Sequence, residues 1–264
     1  LSFQGKDGWL QIYETAQWLE VMVRKYLRKT LSKSRRLILG APEQSVTTQL
    51  IRRDRRSDAF MSAIEYINYE AVPGDVLEFG VFTGISLALL AKGHSFDHKG
   101  MERRFVGFDS FRGLPPDTEQ HARWQTGDCA TNHGWHPLLP LGAPVNPQVV
   151  FDLFAACELP APLIESGWYD ETIPATIPAK YDKVALLHID CDLYESTKLT
   201  LDGVAPILQD GCLALFDDWF HYKGHPQKGE ARAFHEFLDE HPEWGAQQYK
   251  SYGVFCNSFI LYRK

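Results

Sequence analysis

Acidic side chains recur at the ends of apolar runs in this 264-residue chain, at a spacing that would gather them in one cleft. The run 184–190 ends in Asp190-Cys191-Asp192, and the run 212–217 ends in Asp217-Asp218. Carboxylates brought together in this way repel unless a cation sits among them. A set of hard oxygen ligands suits Mg2+, Mn2+ or Ca2+ rather than zinc. Earlier in the chain, Arg104-Phe-Val-Gly-Phe-Asp109 also ends in an acid, and a carboxylate there can accept hydrogen bonds from two ribose hydroxyls. Glu78-Phe-Gly80-Val81-Phe82-Thr-Gly84-Ile-Ser86 adds a glycine turn that allows close backbone approach to a ligand. Phe82 and Ile85 stand where a dinucleotide fingerprint needs glycine, so hydride transfer with a nicotinamide cofactor is disfavoured. Each acid also has a plainer role open to it, as a helix cap or a turn residue.

Such a site needs strands that end side by side. Asp75–Gly80, Arg104–Asp109, Pro162–Gly167, Val184–Asp190 and Cys212–Asp217 read as strands, and Ile85–Lys92, Val149–Glu158, Ser196–Leu208 and Glu230–Leu238 as helices between them. This alternation predicts a parallel α/β sheet, whose ligands bind at the carboxyl ends of the strands. Gln248–Phe255 and Ser258–Tyr262 close the chain as an antiparallel hairpin turning at Asn257-Ser258. The Pro-, Gly-, His- and Trp-rich stretch 113–147 is too long for a plain connection and reads as a lid or substrate loop. Ile12, Ala16, Leu19, Val23 and Leu27 mark an amphipathic helix, and Asp58–Tyr69 a further helix stopped by Pro73-Gly74. The expected organisation is an N-terminal helical cover over 1–70 and a Rossmann-like domain over 71–264.

A formal net charge of −7 disfavours general nucleic-acid binding, and no apolar run approaches the ~20 residues of a bilayer span. The charge is unevenly spread, +7 over residues 1–56 and −14 over 57–264. Five cysteines without a CxxC pair fit reduced thiols in a cytoplasmic protein. Leu1–Gly5 has neither the charged nor the apolar region of a signal peptide and stays outside the fold reading.

The glycine turn, Asp109-Ser-Phe-Arg-Gly-Leu-Pro115 and His188-Ile-Asp190-Cys-Asp192-Leu-Tyr-Glu-Ser-Thr-Lys198 with Asp217-Asp218 together resemble the TylF family of macrocin/novobiocin-type O-methyltransferases. The resemblance runs from about Thr47 to Phe237, with Asp-x-Asp-Leu-Tyr-Glu-Ser-Thr its most specific part. It implies a class I methyltransferase fold, a mostly parallel seven-stranded sheet with the antiparallel hairpin. It also implies S-adenosylmethionine and a divalent metal as cofactors, and a hydroxyl-bearing sugar or glycoside of a natural product as acceptor.

Residue by residue, the resemblance implies that Glu78, Gly80, Val81, Phe82, Gly84 and Ser86 hold the methionine part of the cofactor, that Asp109 and Ser110 take the ribose, and that Gly167 and Trp168 border the adenine. Asp190, Asp217 and Asp218 match the metal ligands, Asp190 also touching the cofactor, and Asp192 or Asp190 is the general base. Leu193 occupies the position where some members carry a base histidine, which leaves His133, His136, His221 and His225 to reach in from loops. Trp124, Trp135 and Trp168 offer flat surfaces near the expected mouth. The amphipathic helix points to a homodimer or larger assembly. Three rival readings stay open: a metal-dependent glycosyltransferase using Asp190-x-Asp192, a cephalosporin-hydroxylase-like enzyme on the same scaffold, and a non-catalytic protein whose cleft binds a nucleoside-like ligand or whose basic helices mediate assembly.

Overall fold

The computed structural model describes residues 45–264, apart from positions 97 and 122, so the expected helix from Ile12 lies outside the described residues. A seven-stranded sheet runs β3-β2-β1-β4-β5-β7-β6. Its strands are β1 Asp75–Phe79, β2 Phe105–Asp109, β3 Leu163–Ser166, β4 Val184–Ile189, β5 Leu208–Phe216, β6 Trp244–Tyr252 and β7 Cys256–Arg263. The first five are parallel, and β7 inserts antiparallel between β5 and β6. This is the expected architecture, with every residue of β1 and β4 buried, as strands covered on both faces must be.

Side chains alternate across the sheet and build two cores. Leu77, Phe79, Leu187, Ile189, Ala214 and Phe216 pack against α5 Tyr169–Lys180, α6 Tyr194–Val204 and α7 Gly229–Glu240. Val76, Leu186, Leu213 and Leu215 pack on the other face against α2 Ser57–Tyr69, α3 Ile85–Phe96 and α4 Pro147–Ala156. Residues 45–264 form one compact unit, and α2 belongs to it through the fully buried Phe60, Ala63, Ile64 and Ile67. A shorter helix, α1 Val46–Arg53, precedes it, capped by the Ser45 hydroxyl.

Three local expectations are corrected. The hairpin turns at 253–255, where Gly253 has φ +57°, and Asn257 and Ser258 lie inside β7, paired with Phe216 and Leu215. Helix α6 ends at Val204, and β5 already begins at Leu208. Helix α5 was not expected, because Pro174 and Pro178 sit inside it. Each proline removes a helical hydrogen bond, but the two are four residues apart on the exposed side, so the freed carbonyls face water.

Candidate active site

The strand ends on the carboxyl side of the sheet open into a cavity of about 1840 Å³. Ligand sites for one small molecule run to ~1,000 Å3, so this cavity has room for two reactants. Gly80, Val81, Phe82, Ser86, Asp109, Ser110, Trp168, Asp190, Asp192, Asp217 and Asp218 line it together, as do Trp124 and Trp135. Among the expected cofactor residues, Glu78, Gly84 and Gly167 do not line it.

The glycine turn is built by contact between backbones. Gly80 has φ +92°, and a Cβ there would collide with the carbonyl of Asp190 on β4. Glycine thus lets the β1 and β4 ends meet. Phe82 continues the turn at φ +47°, its N–H donating to Asp109 Oδ2 at 2.7 Å, while the Phe111 N–H donates to Asp109 Oδ1 at 2.6 Å. Burial pushes the Asp109 carboxyl up, and these backbone donors partly offset it. Its position fixes the turn, with lone pairs left over for a ligand.

Glu78 takes a different position from the one the resemblance implies. It points to the α2 face, fully buried, with Oε1 2.8 Å from His188 Nδ1. Burial disfavours a charged His188, but Asp217 and Glu78 outweigh it and push its pKa up to about 10, so the ring is an imidazolium at neutral pH. His188 Nε2 lies 3.9 Å from Asp217 Oδ1, which in turn lies 2.8 Å from Arg56 Nη1. The same nitrogen donates to Asp190 Oδ2 at 3.1 Å. An alternating chain, Glu78–His188–Asp217–Arg56–Asp190, therefore runs from the sheet interior to the cavity. Burial pushes Asp217 up, yet Arg56 and His188 hold it well below the usual carboxylate range.

A second acidic group lies beside this chain. Burial, reinforced by neighbouring carboxylates, raises Asp190, Asp192 and Asp218, and Asp192 hydrogen-bonds Asp218. Asp192 is held at φ +64°, on the turn after β4. Asp218 Oδ1 is 3.1 Å from His221 Nδ1, and its backbone N–H donates to Glu230 Oε2 at 2.9 Å. Asp218 Oδ2 and Glu230 Oε1 are buried without a hydrogen-bond partner. Ligand oxygens of Asp190, Asp217 and Asp218 lie within 4.8 Å of one another, and so do ligand atoms of Asp192, Asp218 and His221. An all-oxygen set with an unpartnered buried oxygen fits a hard divalent ion.

The loop 113–147 forms much of the opposite wall. Asn132 organises it, accepting from the N–H groups of Gly134, Trp135 and His136 and donating to Leu139 O. Glu119 ties it to α7, accepting from Gly229 N–H at 2.6 Å and from Arg232 Nη1 at 3.1 Å. Of the loop histidines, His221 and His225 reach the cavity, whereas His133 and His136 do not line it. Burial, then the neighbouring His121, brings His221 down to about 4, so it is neutral at pH 7. Arg56, His188, Glu230 and His121 were not expected. Arg56 stood in a run of basic residues and His188 inside an apolar strand, and neither signal separates a site residue from its neighbours.

A family model, macrocin-O-methyltransferase (TylF), matches residues 8–241. The chain belongs to this family. Among curated relatives, 8-demethyl-8-(2,3-dimethoxy-alpha-L-rhamnosyl)-tetracenomycin-C 4'-O-methyltransferase of Streptomyces olivaceus is 27% identical over 62% of this chain and 60% of its own length. Mycinamicin III 3''-O-methyltransferase of Micromonospora griseorubida is 28% identical over 71% of this chain and 69% of its own. The match thus spans about 60% of the first of these relatives and little more than two thirds of the second. The solved structure of the O-methyltransferase NovP shares the fold, with a TM-score of 0.60 at 24% identity over 79% of this chain and 80% of that one.

Proposed function

We propose that this chain transfers the methyl group of S-adenosylmethionine to a hydroxyl of a small sugar-bearing acceptor, with a divalent cation held by Asp190, Asp217 and Asp218. The observation that carries the reading is the convergence of these three carboxylates, from the ends of two adjacent parallel strands, beside the glycine turn in a cavity large enough for two reactants. Family membership favours this reading over a glycosyltransferase or hydroxylase. The relatives named above are O-methyltransferases by name, the first on a rhamnosyl-bearing tetracenomycin.

Methyl transfer from a sulfonium is an in-line displacement, so the protein must orient the acceptor oxygen and strengthen it. The turn Gly80-Val81-Phe82 with Ser86, Asp109, Ser110 and Trp168 binds the cofactor at the carboxyl ends of β1, β2 and β3. A cationic sulfonium bound beside the turn would be favoured by the acidic floor that lines the same cavity. Asp192, on the turn after β4 beside the acidic floor, takes the acceptor proton as general base in its ionised form, with Asp190 as the alternative. A divalent cation held by Asp190, Asp217 and Asp218 would supply Lewis-acid chemistry, making the acceptor hydroxyl more acidic. The loop 113–147 keeps water from the reacting oxygen, with Trp124 and Trp135 as flat surfaces for a sugar face.

The test combines calorimetric titration of S-adenosylmethionine with isotopic methyl transfer to a panel of glycosides, with and without EDTA. Asp190→Ala and Asp217→Ala should abolish transfer and leave cofactor affinity largely intact, whereas Asp109→Ala should weaken cofactor binding first. Full activity in EDTA would remove the metal from the reading, and no heat with the cofactor would remove the methyltransferase.

A further inference from the structure

Arg56 stands just ahead of α2, and its guanidinium is shared among three carboxylates. Nε and Nη2 donate to the two oxygens of Asp54, at 3.1 and 2.9 Å. Nη1 reaches into the acidic floor, 2.8 Å from Asp217 Oδ1 and 3.1 Å from Asp190 Oδ2. The group also lies 5.3 Å from the centre of the Phe60 ring, and its side chain is 19% exposed. This is a well-held cation rather than a solvated arginine in a basic run.

Two of the three carboxylates that would hold a divalent ion are thus already engaged. Asp217 Oδ1 is the more crowded, because the Cys256 thiol donates to it at 3.2 Å and His188 Nε2 lies 3.9 Å away. An ion binding the same oxygens would meet a positive charge a few ångströms off in a half-buried setting, where Coulomb repulsion is poorly screened. The guanidinium has another anchor, since both oxygens of Asp54 hold it independently of the floor. The backbone of α2 is fixed by Phe60, Ile64 and Ile67 in the core, so departure needs a side-chain rotation and no helix movement.

We propose that Arg56 is the resident counter-cation of the acidic floor, and that a divalent ion gains Asp190 and Asp217 by displacing its guanidinium, which stays paired with Asp54. The inference rests on the metal reading above and adds a competitor to it. It explains how a floor of clustered carboxylates folds before any ion arrives. It also makes the basic corner between α1 and α2 a determinant of how tightly the ion is held.

The experiment titrates Mn2+ into the full chain and into Arg56→Met, following free Mn2+ by electron paramagnetic resonance, with Asp217→Asn to identify the site. Arg56→Met should bind Mn2+ roughly tenfold or more tighter than the wild type, and Asp217→Asn should remove that binding. Equal or weaker binding by a folded Arg56→Met would overturn the competition while leaving the metal reading in place. Absence of Mn2+ binding in both proteins would overturn both. Should Arg56→Met fail to fold, the wild type still decides. Its Arg56 Nη1–H resonances, assigned by 15N labelling, should shift and lose exchange protection as Mg2+ fills the site while Nε–H stays protected on Asp54, and unchanged Nη1 resonances at saturation overturn the proposal.

Discussion

Glu78 and His188 stand opposite each other in the β1–β4 register, with Glu78 Oε1 2.8 Å from His188 Nδ1 and neither side chain exposed. They form a fully buried salt bridge in the sheet, with the Phe60 ring standing edge-on to the imidazole at 5.1 Å between ring centres. Removing one partner of such a pair strands a buried charge, at a cost of about 3 kcal/mol. Glu78→Gln should therefore lower the unfolding free energy, read from urea denaturation, by that amount. The double variant with His188→Gln should lose less than the sum of the two single changes, which a double-mutant cycle measures.

The approach of β1 to β4 at Gly80 gives a sharper test. Alanine there would combine a positive-φ backbone with a collision against the Asp190 carbonyl, and backbone cannot yield as a side chain does. Gly80→Ala should cost about 3 kcal/mol of stability and weaken S-adenosylmethionine binding, as read by denaturation and calorimetry. Wild-type cofactor affinity in this variant would place the cofactor elsewhere.

Glu230 acts through Asp218, whose N–H it accepts from α7. Glu230→Ala should lower turnover roughly ten- to a hundredfold, the range seen when outer supports of a metal ligand are lost. Cofactor affinity should hold. Glu230→Gln keeps an acceptor oxygen and should restore most of the rate, whereas a purely electrostatic role would leave both variants equally impaired.

His94 and His136 set a pH dependence away from the site. Burial lowers both pKa values, and Arg103 adds to the effect at His94. The unfolded chain takes up protons near pH 6.5 while the folded protein resists them, so stability is fully present above that pH and falls as pH drops below it. The raised carboxyls of Asp190 and Asp192 pull the other way, so the test is a difference: between pH 7.5 and 5.5, thermal melts of His136→Gln should show less loss, or more gain, of stability than those of the wild type. An identical slope would assign the acid sensitivity to other groups.

Much of this molecule was legible in the sequence, because parallel strands buried on both faces leave continuous apolar runs and the polar residue ending each run marks the ligand edge. Asp190, Asp192, Asp217 and Asp218 announced themselves in that way. The hairpin turn did not, because Asn257-Ser258 has the composition of a turn while pairing sets its place at Gly253. Nor did the partners of the acids. Arg56 meets Asp190 across 134 residues, a contact that no local spacing reveals. Glu78 was given to the cofactor by the family resemblance. Alternation along β1 sends it to the α2 face, where His188 holds it.

The placement of β7 between β5 and β6 has a consequence for how the protein is made. The turn at 253–255 and Cys256 form part of the cavity wall, and Phe255 O accepts from the N–H of Phe220 beside the acidic floor at 2.8 Å. During synthesis, β5 therefore waits with an open hydrogen-bonding edge until the last strand of the described residues leaves the ribosome. An open edge is a template for pairing with another nascent chain. The interval between translating residue 216 and residue 263 is thus the window in which this chain is most exposed to misassembly, and in which a chaperone has most to protect.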